Sequence, residues 1–143
     1  MEKQLNQLLA NLVVEYHKLQ NFHWYIKGKD FFTVHAKLEE LYDNINGAVD
    51  EVAEYILMID GSPVASLKDF LEISSIKEAQ KERRESKCIF KEVLHDFEFL
   101  LNQIVEIKKE AEREEVYAIS ILMDDYIKQF TKSIWMIKQV ISE

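Results

Sequence analysis

The chain has 143 residues, 48% of them apolar and 31% charged, with a formal net charge of −8. That length suits one domain with a well-buried core, read here as spanning 1–143, and three Gly and one Pro are too few for a turn-rich β protein. The acid excess opposes nucleic acid rather than attracting it, and the lone cysteine, Cys88, excludes an intrachain disulfide.

Residues 3–26 are read as a first helix, because Leu5, Leu8, Leu9, Leu12, Tyr16, Leu19 and His23 recur at three- and four-residue steps. Gly28 and Asp30 mark a turn. Thr33 is the expected cap of a second helix reaching Ile59, with an apolar face of Leu38, Leu41, Tyr42, Ile45, Val49, Val52 and Ile56. Asp60-Gly61-Ser62-Pro63 ends it, since Gly follows the last turn and Pro cannot continue it. Residues 64–75 are a connector, with one short helical piece expected at 66–71. Ser75 is read as the cap of a third helix over 76–109, whose stripe includes Ala79, Cys88, Phe90, Val93, Phe97, Leu101 and Ile104. A break near 110–115 separates it from a last helix. There periodicity resumes at Val116 and runs through Ile119, Leu122, Tyr126, Phe130, Ile134 and Ile137. The fold class is therefore all-α: a ferritin-like four-helix bundle with a short helix in the connector between helices 2 and 3. A connector of about sixteen residues exceeds what a tight hairpin needs and suits a crossover along the bundle.

No apolar run approaches the roughly 18–20 residues of a membrane span. Met1-Glu2-Lys3-Gln4 lacks the charged-then-apolar layout of a signal peptide, so a cytoplasmic location is expected.

The chemistry concentrates in His23, His35, Asp50 and Glu54. Two imidazoles and two carboxylates suit Fe(II) or another first-row divalent metal. Asp50 and Glu54 stand four apart and share a helix face. On one unbroken helix, however, His35 and Asp50 are about 22 Å apart at ~1.5 Å of rise per residue. No single metal spans that. His23 reaches His35 if the chain reverses at Lys27-Gly28-Lys29-Asp30. A second, antiparallel copy of the helix across a two-fold axis then brings the histidine end to the carboxylate end. The expectation is a metal site shared between two chains, two per dimer. Asp50 and Glu54 taken alone are equally a solvated helix face. Glu39, one turn after His35, is either an outer ligand or a surface acid. Trp24 is either an electron donor to the centre or an ordinary core indole.

Glu92 and His95 form a Glu-x-x-His pair of the kind used within single-chain di-iron bundles, but no second such pair exists here. His17 is expected at the surface and Cys88 as a small buried apolar side chain. There is no phosphate-binding glycine loop, serine elbow or zinc-type Cys/His cluster.

Lys18-Leu19-Gln20-Asn21-Phe22-His23-Trp24-Tyr25-Ile26-Lys27-Gly28 with Phe31-Phe32-Thr33-Val34-His35 resembles the first signature of the Dps miniferritins. Asp50-Glu51-Val52-Ala53-Glu54 resembles their second signature. The run from Gly61 to Leu71 resembles their connector, and Ile134-Trp135-Met136 the end of their last helix. The resemblance implies a hollow dodecamer with inter-subunit ferroxidase centres that oxidise Fe(II), preferably with hydrogen peroxide, and store ferric (Fe3+) mineral. By position it implies His23 and His35 from one subunit, Asp50 and Glu54 from its mate. Three departures stand out. Tyr55 replaces the usual Arg after the second signature. Glu112-Arg113-Glu114-Glu115 replaces the usual acidic pattern before the last helix, leaving Glu114 and Glu115 as the nearest acids for a pore. The first helix begins almost at Met1, so the Lys/Arg-rich tail through which many members hold DNA is expected to be missing. The basic cluster Lys77, Lys81, Arg83, Arg84 and Lys87 is interrupted by Glu78, Glu82 and Glu85, which on a helix offer local pairs. Iron oxidation and storage is thus the leading expectation, and a DNA-coating nucleoid protein the alternative.

Overall fold

A computed structural model describes residues 1–142. Four long helices, α1 (Glu2–Tyr25), α2 (Phe31–Met58), α4 (Ser86–Arg113) and α5 (Tyr117–Ile141), enclose one apolar cluster. A short α3 (Leu67–Ile73) lies in the connector between α2 and α4. The pairs α1/α2 and α4/α5 are antiparallel hairpins. His23 touches His35 at one end of the first pair and Glu2 touches Ser62 at the other. Phe97 meets Phe130 edge-on across the second pair at 5.0 Å. Buried leucines line α1, while Val93, Phe97, Leu100, Ile104 and Ile107 line α4 at helical spacing.

The connector, 59–85, crosses from one end of the bundle to the other, as a ferritin-like arrangement requires. Three asparagines of α1 hold it there. Asn6 accepts from Val64 N–H (2.9 Å) and donates to Ser62 O; Asn11 accepts from Ser75 N–H (2.7 Å) and the Ser74 hydroxyl (2.9 Å). Asn21 donates to Gln80 O at 3.3 Å. Ser66 caps α3 by accepting from Asp69 N–H. The crossing ends in a parallel pairing of β1 (Ile26–Lys27) with β2 (Arg84–Glu85), which seats the start of α4 beside the end of α1.

Several boundaries differ from those expected. Thr33 does not cap α2; Asp30 holds that position, and the Thr33 hydroxyl bonds back to Asp30 O. The third long helix begins at Ser86, ten residues later than the sequence pattern suggested. Ser75 gives its N–H to Asn11 and is not helical, and Ile76 joins the apolar core from the crossing segment rather than from a helix. Both long hairpin helices end on an acidic residue rather than on glycine. Asp60 and Glu115 take positive φ (62° and 61°), and Gly61 N–H and Val116 N–H bond back to Ile56 O and Ala111 O, each at 2.8 Å. Gly61 serves close packing instead: a Cβ there would lie 3.0 Å from Ile56 Cγ2 and 3.1 Å from Glu2. Cys88 is exposed, not buried, near Arg84.

Candidate metal centre

The turn between α1 and α2 is tight because Gly28 takes φ 126° and Phe31 N–H bonds to Gly28 O. This brings His23, in the last turn of α1, against His35, in the first turns of α2. The imidazoles stack with centroids 3.6 Å apart and 12° between planes. His23 Nδ1 lies 2.6 Å from His35 O, and His35 Nδ1 lies 2.7 Å from His23 O. A carbonyl oxygen only accepts, so in each neutral ring Nδ1 carries the hydrogen and Nε2 keeps its lone pair. The His23 carbonyl belongs to the end of α1, where helical carbonyls lack intrahelical partners. One reciprocal contact therefore satisfies an orphan acceptor, fixes both tautomers and sets two donor nitrogens side by side.

The surroundings hold the rings in place. Phe31 stacks on His35 at 4.9 Å, and Tyr42 meets His23 edge-on at 5.3 Å. His23 is 6% exposed. Glu39 Oε1 stands 3.7 Å from His23 Nε2, beyond a direct hydrogen bond and within outer-sphere reach. Trp24 is not a core indole: it is 54% exposed and edge-on to the exposed His17. Ser86 donates to Asp30 at 2.6 Å and ties the turn to the start of α4.

Asp50 and Glu54 are exposed on the same α2, which runs unbroken from Phe31 to Met58. The structure therefore does not bring them to the histidines within one chain; at ~1.5 Å of rise per residue the helix keeps Asp50 about 22 Å and Glu54 about 28 Å from His35. Among the described residues, no three His, Cys, Asp or Glu converge as a metal group within the chain. Between Asp50 and Glu54, Glu51 accepts from the buried Tyr126 hydroxyl at 2.7 Å and anchors that part of α2 to α5. Burial and the Glu51 carboxylate push the Tyr126 phenol up.

Sequence reasoning missed a second cluster, in the interior between α1 and α4. Glu15 (0% exposed), Lys18 (3%) and Asp96 (4%) are buried there. Lys18 Nζ lies 2.9 Å from Glu92 and 2.8 Å from Asp96, and Arg84 donates to Glu92 at 3.0 Å. Burial, and then the Asp96 carboxylate beside it, push the Glu15 carboxyl well above the usual range. Burial works against the Lys18 ammonium too, but Asp96 and Glu92 outweigh it and hold its pKa high. Position 15 and position 18 sit one turn apart among leucines, and a charged pair on an otherwise apolar face is the signal that could have revealed it. Glu92 is thereby committed to Lys18 and Arg84, and His95 is exposed.

The basic cluster is also altered. Residues 74–83 are not helical, so the local helical pairing with Glu78, Glu82 and Glu85 does not arise. Arg84 pairs with Glu92, and Arg83 lies over the Tyr25 ring at 5.7 Å.

Four long helices, a crossing connector and paired imidazole donors at a helix junction define a ferritin-like domain. Comparisons with known proteins agree. The ferritin family profile, described as a ferritin-like domain, matches residues 2–143. The DNA protection during starvation protein of Helicobacter pylori is 36% identical over 134 residues, covering 94% of this chain and 93% of that protein. The crystal structure of Dps from Staphylococcus aureus superposes with a TM-score of 0.95 at 37% identity, covering 99% of this chain and 95% of that one. Dps of Vibrio cholerae O1, described as a member of a broad superfamily of ferritin-like diiron-carboxylate proteins, gives 0.95 at 34% identity, over 99% and 88% of the two chains. The chain belongs to the Dps family of miniferritins.

No helix among the described residues is long and apolar enough to cross a membrane.

Proposed function

We propose that this protein is a ferroxidase and iron store. It oxidises Fe(II) with hydrogen peroxide at centres built by two chains, and holds the ferric product inside a homo-oligomeric shell, a dodecamer by resemblance, in the cytoplasm. The observation that carries this reading is the reciprocal His23–His35 contact. It presents two unprotonated Nε2 atoms at one end of α2, while Asp50 and Glu54 wait at the far end of the same helix. A two-fold mate running antiparallel supplies its carboxylates to the histidines, and receives histidines for its own.

Fe(II) is the substrate. Imidazole and carboxylate together suit this borderline cation, and the carboxylates offset the charge that grows on oxidation. Two Fe(II) ions give up one electron each; hydrogen peroxide takes both with two protons and leaves as two waters. Paired electron delivery avoids the hydroxyl radical that a single-electron step releases. Glu39 lies where it can accept a hydrogen bond from a water bound at the centre. Trp24, next to His23 in the chain, is the proposed donor of a stray electron.

The test is stopped-flow mixing of anaerobic Fe(II)-loaded protein with hydrogen peroxide, followed at the ferric absorbance. His23→Ala should slow oxidation at least tenfold, with the shell still assembled by light scattering. Wild-type rates in His23→Ala and Asp50→Ala alike would sink the assignment. The second reading, a DNA-coating protein, draws on relatives named for DNA protection during starvation. The charge of −8 weighs against it.

A further inference from the structure

The interior cluster of Glu15, Lys18, Glu92, Asp96 and Arg84 takes no part in the proposed oxidation. Its charges, however, are arranged around one nitrogen. Lys18 Nζ contacts Glu92 Oε2 and Asp96 Oδ2. Both contacts are ion pairs, at 2.9 Å and 2.8 Å. Glu15 is fully buried on the same helix one turn earlier, and neither of its carboxyl oxygens receives an N–H or hydroxyl donor. The Asp96 carboxyl is its hydrogen-bonding neighbour, so a single proton between the two carboxyls satisfies them where no metal ion is bound.

The charge balance is informative. Three carboxyl groups face two fixed cations, Lys18 and Arg84, so neutrality requires one proton, and burial favours the neutral form of Glu15. An ammonium plus that proton carry the same charge as one divalent ion. The cluster also has an entrance: a cavity of about 490 Å³ is lined by Lys18, Arg84, Glu92, His95 and Asp96.

We propose that Lys18 Nζ fills a latent divalent-cation site between α1 and α4, and that this ammonium is what keeps metal ions out of the bundle interior. With it in place the ammonium occupies the position between Glu92 and Asp96, and no three ligand groups converge among the described residues. Without it, Glu15, Glu92 and Asp96 supply an all-oxygen donor set that suits Mn(II), Mg(II) or Fe(II). Lys18 is therefore a specificity-determining residue that leaves the junction of two chains as the place where metal binds.

The test counts bound Mn(II) by loss of the free-ion EPR signal, in a His23→Ala background that weakens the inter-chain centre. Lys18→Met and Lys18→Gln should each bind one Mn(II) per chain more than the parent. The glutamine can still donate a hydrogen bond to one carboxylate, so it guards against a folding failure of the methionine variant. Lys18→Arg keeps a cation and should bind none extra, and adding Glu15→Gln to Lys18→Gln should weaken the new site at least tenfold. Parental Mn(II) counts in both neutral variants, whether they fold in millimolar Mn(II) or not, would overturn the proposal. So would an extra ion in Lys18→Arg.

Discussion

Mixing two variants that should each be inactive tests the proposed shared centre most directly. His23→Ala removes a histidine donor but leaves both carboxylates, and Asp50→Ala does the reverse. Because α2 is continuous from Phe31 to Met58, His35 and Asp50 of one chain remain about 22 Å apart in either variant. In a mixed dimer, one site receives the histidines of the Asp50→Ala chain and the carboxylates of the His23→Ala chain, and is intact. The other site receives both lesions. With equal amounts and random pairing, about half the dimers are mixed and each has one intact site of two, so roughly a quarter of all sites recover. Co-refolded shells, verified as mixed by native mass spectrometry, should oxidise Fe(II) with peroxide at about a quarter of the wild-type rate. Separately assembled shells combined afterwards should stay inactive. A co-refolded sample no faster than either parent would mean that the donors act within single chains or that these residues do not bind iron.

The interior cluster makes stability depend on pH. Glu15 has its folded pKa raised, so its contribution is fully present below the unfolded value of ~4.3 and is lost as pH rises through the folded value. Glu15→Gln stays neutral and should gain on wild type as pH rises, at about 1.4 kcal/mol per unit of folded-state shift; parallel urea-denaturation profiles at pH 5 and pH 9 would contradict this. Asn11→Ala removes acceptors for Ser74 and Ser75 and a donor to Gln103, and should cost roughly 2–4 kcal/mol by urea titration; a loss below about 1 kcal/mol would mean that water takes over those groups. Plasmid DNA should not be retarded by the shell at about 0.15 M salt, because the acid excess outweighs a basic cluster in which Arg84 is engaged with Glu92 and Arg83 with Tyr25. A salt-sensitive shift would redirect attention to Lys77 and Lys81.

The helical class and the hairpin α1/α2 were legible because apolar periodicity and Gly28 are local signals. The separation of His35 from Asp50 was legible because rise per residue is a property of any helix: knowing that both lie on one helix already sets them apart. The start of α4 was not legible. Residues 76–85 have helical composition, and what keeps them out of a helix is distant, namely Asn11, Asn21 and the pairing of Ile26 and Lys27 with Arg84 and Glu85. The helix ends at Ile59 and near 110–115 were legible, but not that acids, Asp60 and Glu115, take the left-handed backbone there, with the cost offset by bonds to carbonyls one turn back. Nor does sequence reveal that Glu15 and Lys18 meet Glu92 and Asp96. Those pairs are more than seventy residues apart along the chain, and only the antiparallel packing of α1 on α4 brings them together. The imidazole tautomers follow the same rule: the residues were named by sequence, but the hydrogen each ring carries was decided by the carbonyl that the fold placed against Nδ1.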